Sequence, residues 1–327
     1  MNPNTIFYII IAILLIDFIL DKVLDYLNAK HFNDPVPDEL YDVYDTVEYE
    51  KSQRYKKTNS RFSSLTSAFF LLLTLAFFFL DGFEYVDALA RSISEHEVVV
   101  ALIFFGMIML GSDLLSIPFS YYSTFVIEEK FGFNKTTKRT FFLDRIKGWL
   151  LSIVLGGGIL ALILWFYQLT GNNFWWYAWG LVALFTVFMN LFYSRLIVPL
   201  FNRQTPLEEG TLKAKIKQYA VKTGFSLDKI FVIDGSKRST KANAYFSGFG
   251  SQKRITLYDT LIQDLEEDEI VAVLAHEVGH YKRRHVIFNS AASILLTGVT
   301  LFILSLFIHI PELSLAIGVS VPSFHAG

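Results

Sequence analysis

His276-Glu277-Val278-Gly279-His280, with an apolar run of about two dozen residues starting at Val286, is the stretch on which the reading of this chain turns. The preceding run, Glu266 to His276, has helical character, with Asp264 as the expected N-cap and an acidic first turn suited to the positive end of the helix dipole. On a helix, residues four apart share a face, so His276 and His280 can aim ring nitrogens at one ion. Glu277 then stands beside that ion, placed to polarise a water and carry its proton, and Gly279 is expected to keep the helix surface open there. This is the two-histidine, one-glutamate pattern of zinc hydrolases.

A catalytic zinc takes three protein ligands and leaves one position for water. The third ligand is not evident among the histidines. His285 is five residues past His280, about 140° around a continuous helix, and reads as a polar residue at a membrane surface. Arg283 and Val286 stand where the longer metzincin spacing needs Gly and His. His31, His96, His309 and His325 fall outside any ligand-like spacing.

The composition suits a membrane. The 327 residues are 53% hydrophobic with 32 Phe, and mean hydropathy is +0.40. The net charge of −2 gives no basis for nucleic-acid binding, and the lack of cysteine leaves His and carboxylate as the metal donors. Stretches near 5–27, 62–82, 98–120, 149–169, 174–200 and 286–310 are long enough to span, and a seventh is expected to start at Leu313. The first lacks a basic flank and a small-residue cleavage site, carries Asp17, and reads as a retained helix rather than a signal peptide. Asp113 lies inside the third stretch, where an ionisable group faces a polar cavity or a partner helix.

Lys plus Arg number seven in 21–61, one in 81–97, six in 121–148, none in 170–173 and fifteen in 195–285. The positive-inside rule therefore predicts the odd-numbered connections, and the zinc helix with them, on the cytoplasmic side. The expected fold class is an all-α multi-span membrane protein, six complete spans and the start of a seventh, with a small α+β cytoplasmic zinc-peptidase insertion. Its expected parts are a membrane domain 1–202 (spans one to five, with cytoplasmic loops 28–61 and 121–148), a cytoplasmic metallopeptidase region 203–285, and 286–327.

Within 203–285, Leu207 to Thr223 reads as an amphipathic helix and Lys229 to Asp234 as a short strand. Asn243 to Phe249 and Lys253 to Tyr258 read as two strands joined by a Gly-Ser turn. An edge strand beside a zinc helix can hold an extended substrate backbone across the metal. Asn243 can hydrogen-bond that backbone, or it simply caps a turn.

Several segments, in order, resemble the Ste24-type CAAX prenyl proteases, integral-membrane zinc enzymes of family M48. They are Phe125 to Thr137, Gly235 to Ser239 followed by Asn243-Ala244-Tyr245-Phe246, Arg254 to Leu261, and the 276–280 pentapeptide. The resemblance covers essentially the whole chain. It implies seven membrane helices around a water-filled chamber and one Zn2+ per chain held by His276 and His280. It further implies Glu277 as general base and acid, and substrate contacts at Asn243, Ala244 and Tyr245. The implied reaction removes the C-terminal tripeptide of a prenylated or otherwise hydrophobic peptide, in contact with the lipid bilayer of a bacterial inner membrane or of the endoplasmic reticulum.

The family's third ligand, a Glu, and its transition-state His and Arg are expected beyond Gly327. The chain therefore reads as an N-terminal portion that a C-terminal fragment of the same protein would complete. Two rival readings stay open: an M48 quality-control protease of membrane proteins, and a non-enzymatic membrane scaffold with an incomplete zinc site.

Overall fold

The computed structural model describes residues 2–43, 45–224, 229–248 and 253–326. The helices, in chain order, are α1 (Pro3–Ala29), α2 (Thr46–Phe79), α3 (Gly82–Ile93), α4 (Glu97–Tyr122), α5 (Lys138–Leu151), α6 (Gly158–Thr170) and α7 (Phe174–Leu196). They continue with the short α8 (Val198–Phe201), α9 (Thr211–Lys222), α10 (Asp259–Asp264), α11 (Glu267–Lys282), α12 (His285–Phe307) and α13 (Pro311–Ala316). Four strands, β1 (Gln204–Pro206), β2 (Ile230–Ile233), β3 (Ala244–Ser247) and β4 (Arg254–Tyr258), form one sheet in the order β1-β2-β4-β3. The chain divides into two compact units, Met1–Gly132 with Leu306–Gly327, and Phe133–Ser305.

Among the described residues four helical stretches are long and apolar enough to cross a membrane: Thr46–Phe79, Glu97–Glu128, Lys138–Phe201 and His285–Phe307. The predicted span at 62–82 lies mainly in the second half of α2, that at 98–120 in α4, and that at 286–310 mainly in α12. Those at 149–169 and 174–200 both lie within Lys138–Phe201, whereas the predicted first span at 5–27 is helical, as α1, but is not among these four stretches.

In the first unit, the Asp45 side chain caps α2 by accepting the N–H groups of Val47 and Glu48. At 34 residues and 1.5 Å per residue, α2 is roughly 50 Å long, more than the ~30 Å hydrocarbon core needs. The excess is its polar first half, Thr46 to Arg61, much of which was expected to be loop. Phe7 of α1 meets Phe79 of α2 edge to face, with ring centroids 5.2 Å apart. Ala90, Val100 and Phe104 form a small core between α3 and α4. The expected seventh span does not continue as helix. Helix α13 has six residues, Gly318 takes φ +84°, and the Val319 N–H returns to the Ser314 carbonyl at 3.0 Å. A left-handed glycine with such a back-bond closes a helix end.

The second unit holds the sheet. Strands β2 and β4 are parallel, and β1 and β3 flank them antiparallel. Its core joins Ile230, Ile255 and Leu257 to Ile216 and Ala220 of α9, Leu261 of α10, and Ile270, Leu274 and Val278 of α11. The predicted helix at 207–223 is α9, starting four residues late. The predicted strands are β2, β3 and β4, while β1 is an addition. The predicted Gly-Ser turn at 250–251 lies outside the described residues. Between α7 and α12 the contact is close: Trp179 donates its indole N–H to the Ile294 carbonyl at 2.8 Å. A Cβ on Gly298 would stand 2.8 Å from that indole nitrogen.

Candidate metal centre and substrate strand

Helix α11 is rotated by its own hydrophobic pattern. Ile270, Leu274 and Val278 recur every fourth residue and are buried against the sheet. His276 and His280 consequently face outward and are exposed, and Glu277, between the two faces, is half-buried. The start of the helix differs from expectation. Leu265 is extended at φ −114°, so Asp264 ends α10 instead of capping α11. Glu266 is the N-cap, in a reciprocal capping box with Glu269, whose carboxylate accepts the Glu266 N–H at 2.8 Å. Lys215 of α9 pairs with Asp268 at 2.8 Å and with Glu267 at 3.2 Å, holding the first turn from the side. The Thr211 hydroxyl, then Lys215, lower the Glu267 carboxyl below its ordinary range.

The two histidines converge as the spacing predicts, with His276 Nε2 3.0 Å from His280 Nε2. Two imidazole nitrogens at that separation can both lie at the ~2.0–2.1 Å that zinc requires. The donor chemistry fits the ion, and Glu277 on the next residue is within the same patch. Among the described residues no group of three or more His, Cys, Asp or Glu is arranged to hold a metal.

His285 corrects the sequence reading. It was expected to face away, on the assumption of one continuous helix. Helix α11 instead ends at Lys282, and Arg284 takes φ +55°, a left-handed conformation rare for a residue with a side chain. The chain turns there, α12 begins at His285, and His285 Nδ1 comes back to His280 Nδ1 at 2.8 Å. The signal for this corner is weak in sequence, since no Gly or Pro marks it.

Strand β3 is an edge strand. The Asn243 carbonyl accepts the Tyr258 N–H at 3.0 Å. Antiparallel ladders alternate, so the next pair, Ala244 opposite Leu257, points its Ala244 backbone groups away from β4. Among the described residues no strand pairs with that side. Asn243 also hydrogen-bonds the Tyr258 side chain, and burial is the main cause that pushes the Tyr258 phenol up from its ordinary value, with Tyr245 adding to it. The Ser194 hydroxyl of α7 donates to Ser247 at the far end of β3 at 2.7 Å. A cavity of about 900 Å³ lies along this strand, lined by Asn243, Tyr245, Ser247, Tyr258 and Arg238, and by Val286 next to His285. Tyr245 and Asn243, both named from sequence, thus share one cavity wall, whereas Ala244 is buried and offers its backbone. Gly279 is open as expected: a Cβ there would meet nothing within 4 Å.

Comparison with known proteins gives two adjoining family matches. Residues 25–203 match the family described as CAAX prenyl protease N-terminal, five membrane helices, and residues 206–320 match peptidase family M48. The CAAX prenyl protease 1 homolog of Oryza sativa subsp. japonica is 38% identical over 292 residues, covering 86% of this chain and 69% of that protein. CAAX prenyl protease 1 of Saccharomyces cerevisiae is 37% identical over 299 residues, covering 88% of this chain and 66% of that one. The crystal structure of S. mikatae Ste24p superposes with a TM-score of 0.89 at 35% identity, covering 95% of this chain and 74% of that chain.

Proposed function

This chain belongs to peptidase family M48, with the membrane region of the CAAX prenyl proteases, and from that premise we propose a zinc-dependent endopeptidase that removes the C-terminal tripeptide of prenylated CAAX-type substrates. It is an integral membrane protein, mostly helical, with several apolar helices and one small sheet. The observation that carries the catalytic reading is the convergence of His276 and His280 through their Nε2 atoms, with Glu277 half-buried beside them. These two histidines would hold the ion, leaving room for one further protein donor and a water.

Bound there, zinc would supply Lewis acidity to the attacking water and the scissile carbonyl. Glu277 takes the water's proton and passes it to the leaving amine. The Ala244 backbone N–H and C=O receive the peptide as an added strand, and Asn243 and Tyr245 flank it from the cavity wall. The distribution of Lys and Arg along the sequence supports a cytoplasmic position for this site, with 203–285 as the peptidase region between membrane parts 1–202 and 286–327.

The test is tripeptide release from a farnesylated peptide by the parent and by Glu277→Gln. General acid–base catalysis supports a loss of about 10²–10⁴-fold with zinc retained. Equal activity in the two proteins sinks the assignment.

A further inference from the structure

We propose that His285 is the positioning residue of the metal site: it accepts the Nδ1–H of His280 and thereby turns the other nitrogen of that ring, Nε2, into a fixed lone-pair donor toward His276. This inference rests on the zinc-peptidase reading and deepens it.

His280 meets a ring nitrogen on each side, His276 Nε2 at 3.0 Å and His285 Nδ1 at 2.8 Å. A neutral imidazole carries one N–H and one lone pair. For His280 to offer Nε2 to a metal, its proton must sit on Nδ1. The atom that faces Nδ1 must then be an acceptor, so His285 is unprotonated at Nδ1 and holds its own proton on Nε2. Every role in the row is determined once the ligand atom is chosen. Ligand histidines characteristically spend their second nitrogen on such a partner, which sets both tautomer and ring orientation. The Nδ1 of His285 meets the nitrogen of the His280 ring that faces away from His276, which is where a supporting partner stands.

The partner's position is built by the backbone. The left-handed Arg284 ends α11, the Arg284 N–H donates to the Tyr281 carbonyl at 2.8 Å, and the Phe288 N–H donates to the Arg284 carbonyl at 2.9 Å. His285 is therefore delivered from the first turn of α12, so the membrane helix itself supplies the support for a ligand on α11.

The test measures zinc affinity of the protein in detergent by competition with a chromogenic chelator, with melting temperature recorded on the metal-free form. His285→Phe keeps a ring without an acceptor, and His285→Asn places Oδ1 where Nδ1 stood. The expected result is a loss of about 10–100-fold in zinc affinity for His285→Phe at an unchanged metal-free melting temperature, with His285→Asn restored to within about threefold of the parent. Parental affinity in His285→Phe overturns the proposal, and so does an Asn variant as weak as the Phe variant, which assigns His285 to packing alone. If the parent binds no zinc, or His276→Ala binds it as well as the parent does, the zinc-site reading fails and this inference goes with it.

Discussion

The Arg238 guanidinium grips both carboxylate oxygens of Asp144, at 2.7 and 2.9 Å, and so ties the loop after β2 to a helix 94 residues earlier in the chain. The same guanidinium donates to the Phe201 carbonyl at 2.9 Å. Both partners are about three-quarters shielded from solvent. Lysine has the charge without the fork. Arg238→Lys should therefore lower stability by about 1–2 kcal/mol, read as a drop in melting temperature. An unchanged melting temperature would show that the clamp is replaceable by charge alone.

Gly279 separates stability from function. A Cβ there meets no atom within 4 Å, and alanine favours a helix interior over glycine by roughly 1 kcal/mol. Gly279→Ala should raise the melting temperature. Gly279 adjoins His280 and lies one turn from His276 on the exposed side of α11, so if the peptide approaches over this side the same methyl obstructs it and kcat/KM should fall. Undiminished activity would show that the substrate passes elsewhere.

The free side of β3 can be probed with a single proline. Ala244 is the first residue of an edge strand, and its N–H points away from β4. Proline is tolerated at such a position because no ladder bond is lost. Ala244→Pro should leave the melting temperature nearly unchanged while lowering kcat/KM at least about tenfold, the effect of one lost backbone hydrogen bond to the substrate. Normal kinetics would remove β3 as the substrate strand.

Tyr258 gives a pH signature. Burial raises its phenol above the ordinary value near 10. A group with a raised folded value contributes stability that is present in full below about pH 10 and is lost as pH climbs through the folded value. Denaturation of the parent should therefore steepen above pH 10. Tyr258→Phe lacks that limb, though at neutral pH it forgoes the bond to Asn243, worth about 0.5–1.5 kcal/mol. Identical alkaline profiles would contradict the assignment.

The metal helix was legible because its pattern is local. Ile270, Leu274 and Val278 announce the buried face, and His276 and His280 share the opposite one. The strands at 230–233, 244–247 and 254–258 were legible for the same reason, in period two. What escaped is non-local or conformationally unmarked. Nothing near Arg238 in sequence points to Asp144. Strand β1 is three residues long and includes Pro206, and only its pairing with β2 makes it a strand. The capping box displaced Asp264 because Glu266 and Glu269 satisfy each other. His285 was misplaced by extending helical arithmetic through Arg284, where the helix has stopped.

The corner at Arg284 makes the length of one short segment a condition for the metal site. Between His280 and His285 the nitrogens meet only because four residues close one helix, turn through a left-handed step and open the next. Loops elsewhere on the surface can absorb an extra residue. Here a single insertion or deletion would swing α12 by about a quarter turn or more, and the two rings would part. Across natural variants of this chain, the interval from 281 to 284 should accept substitutions and refuse changes in length.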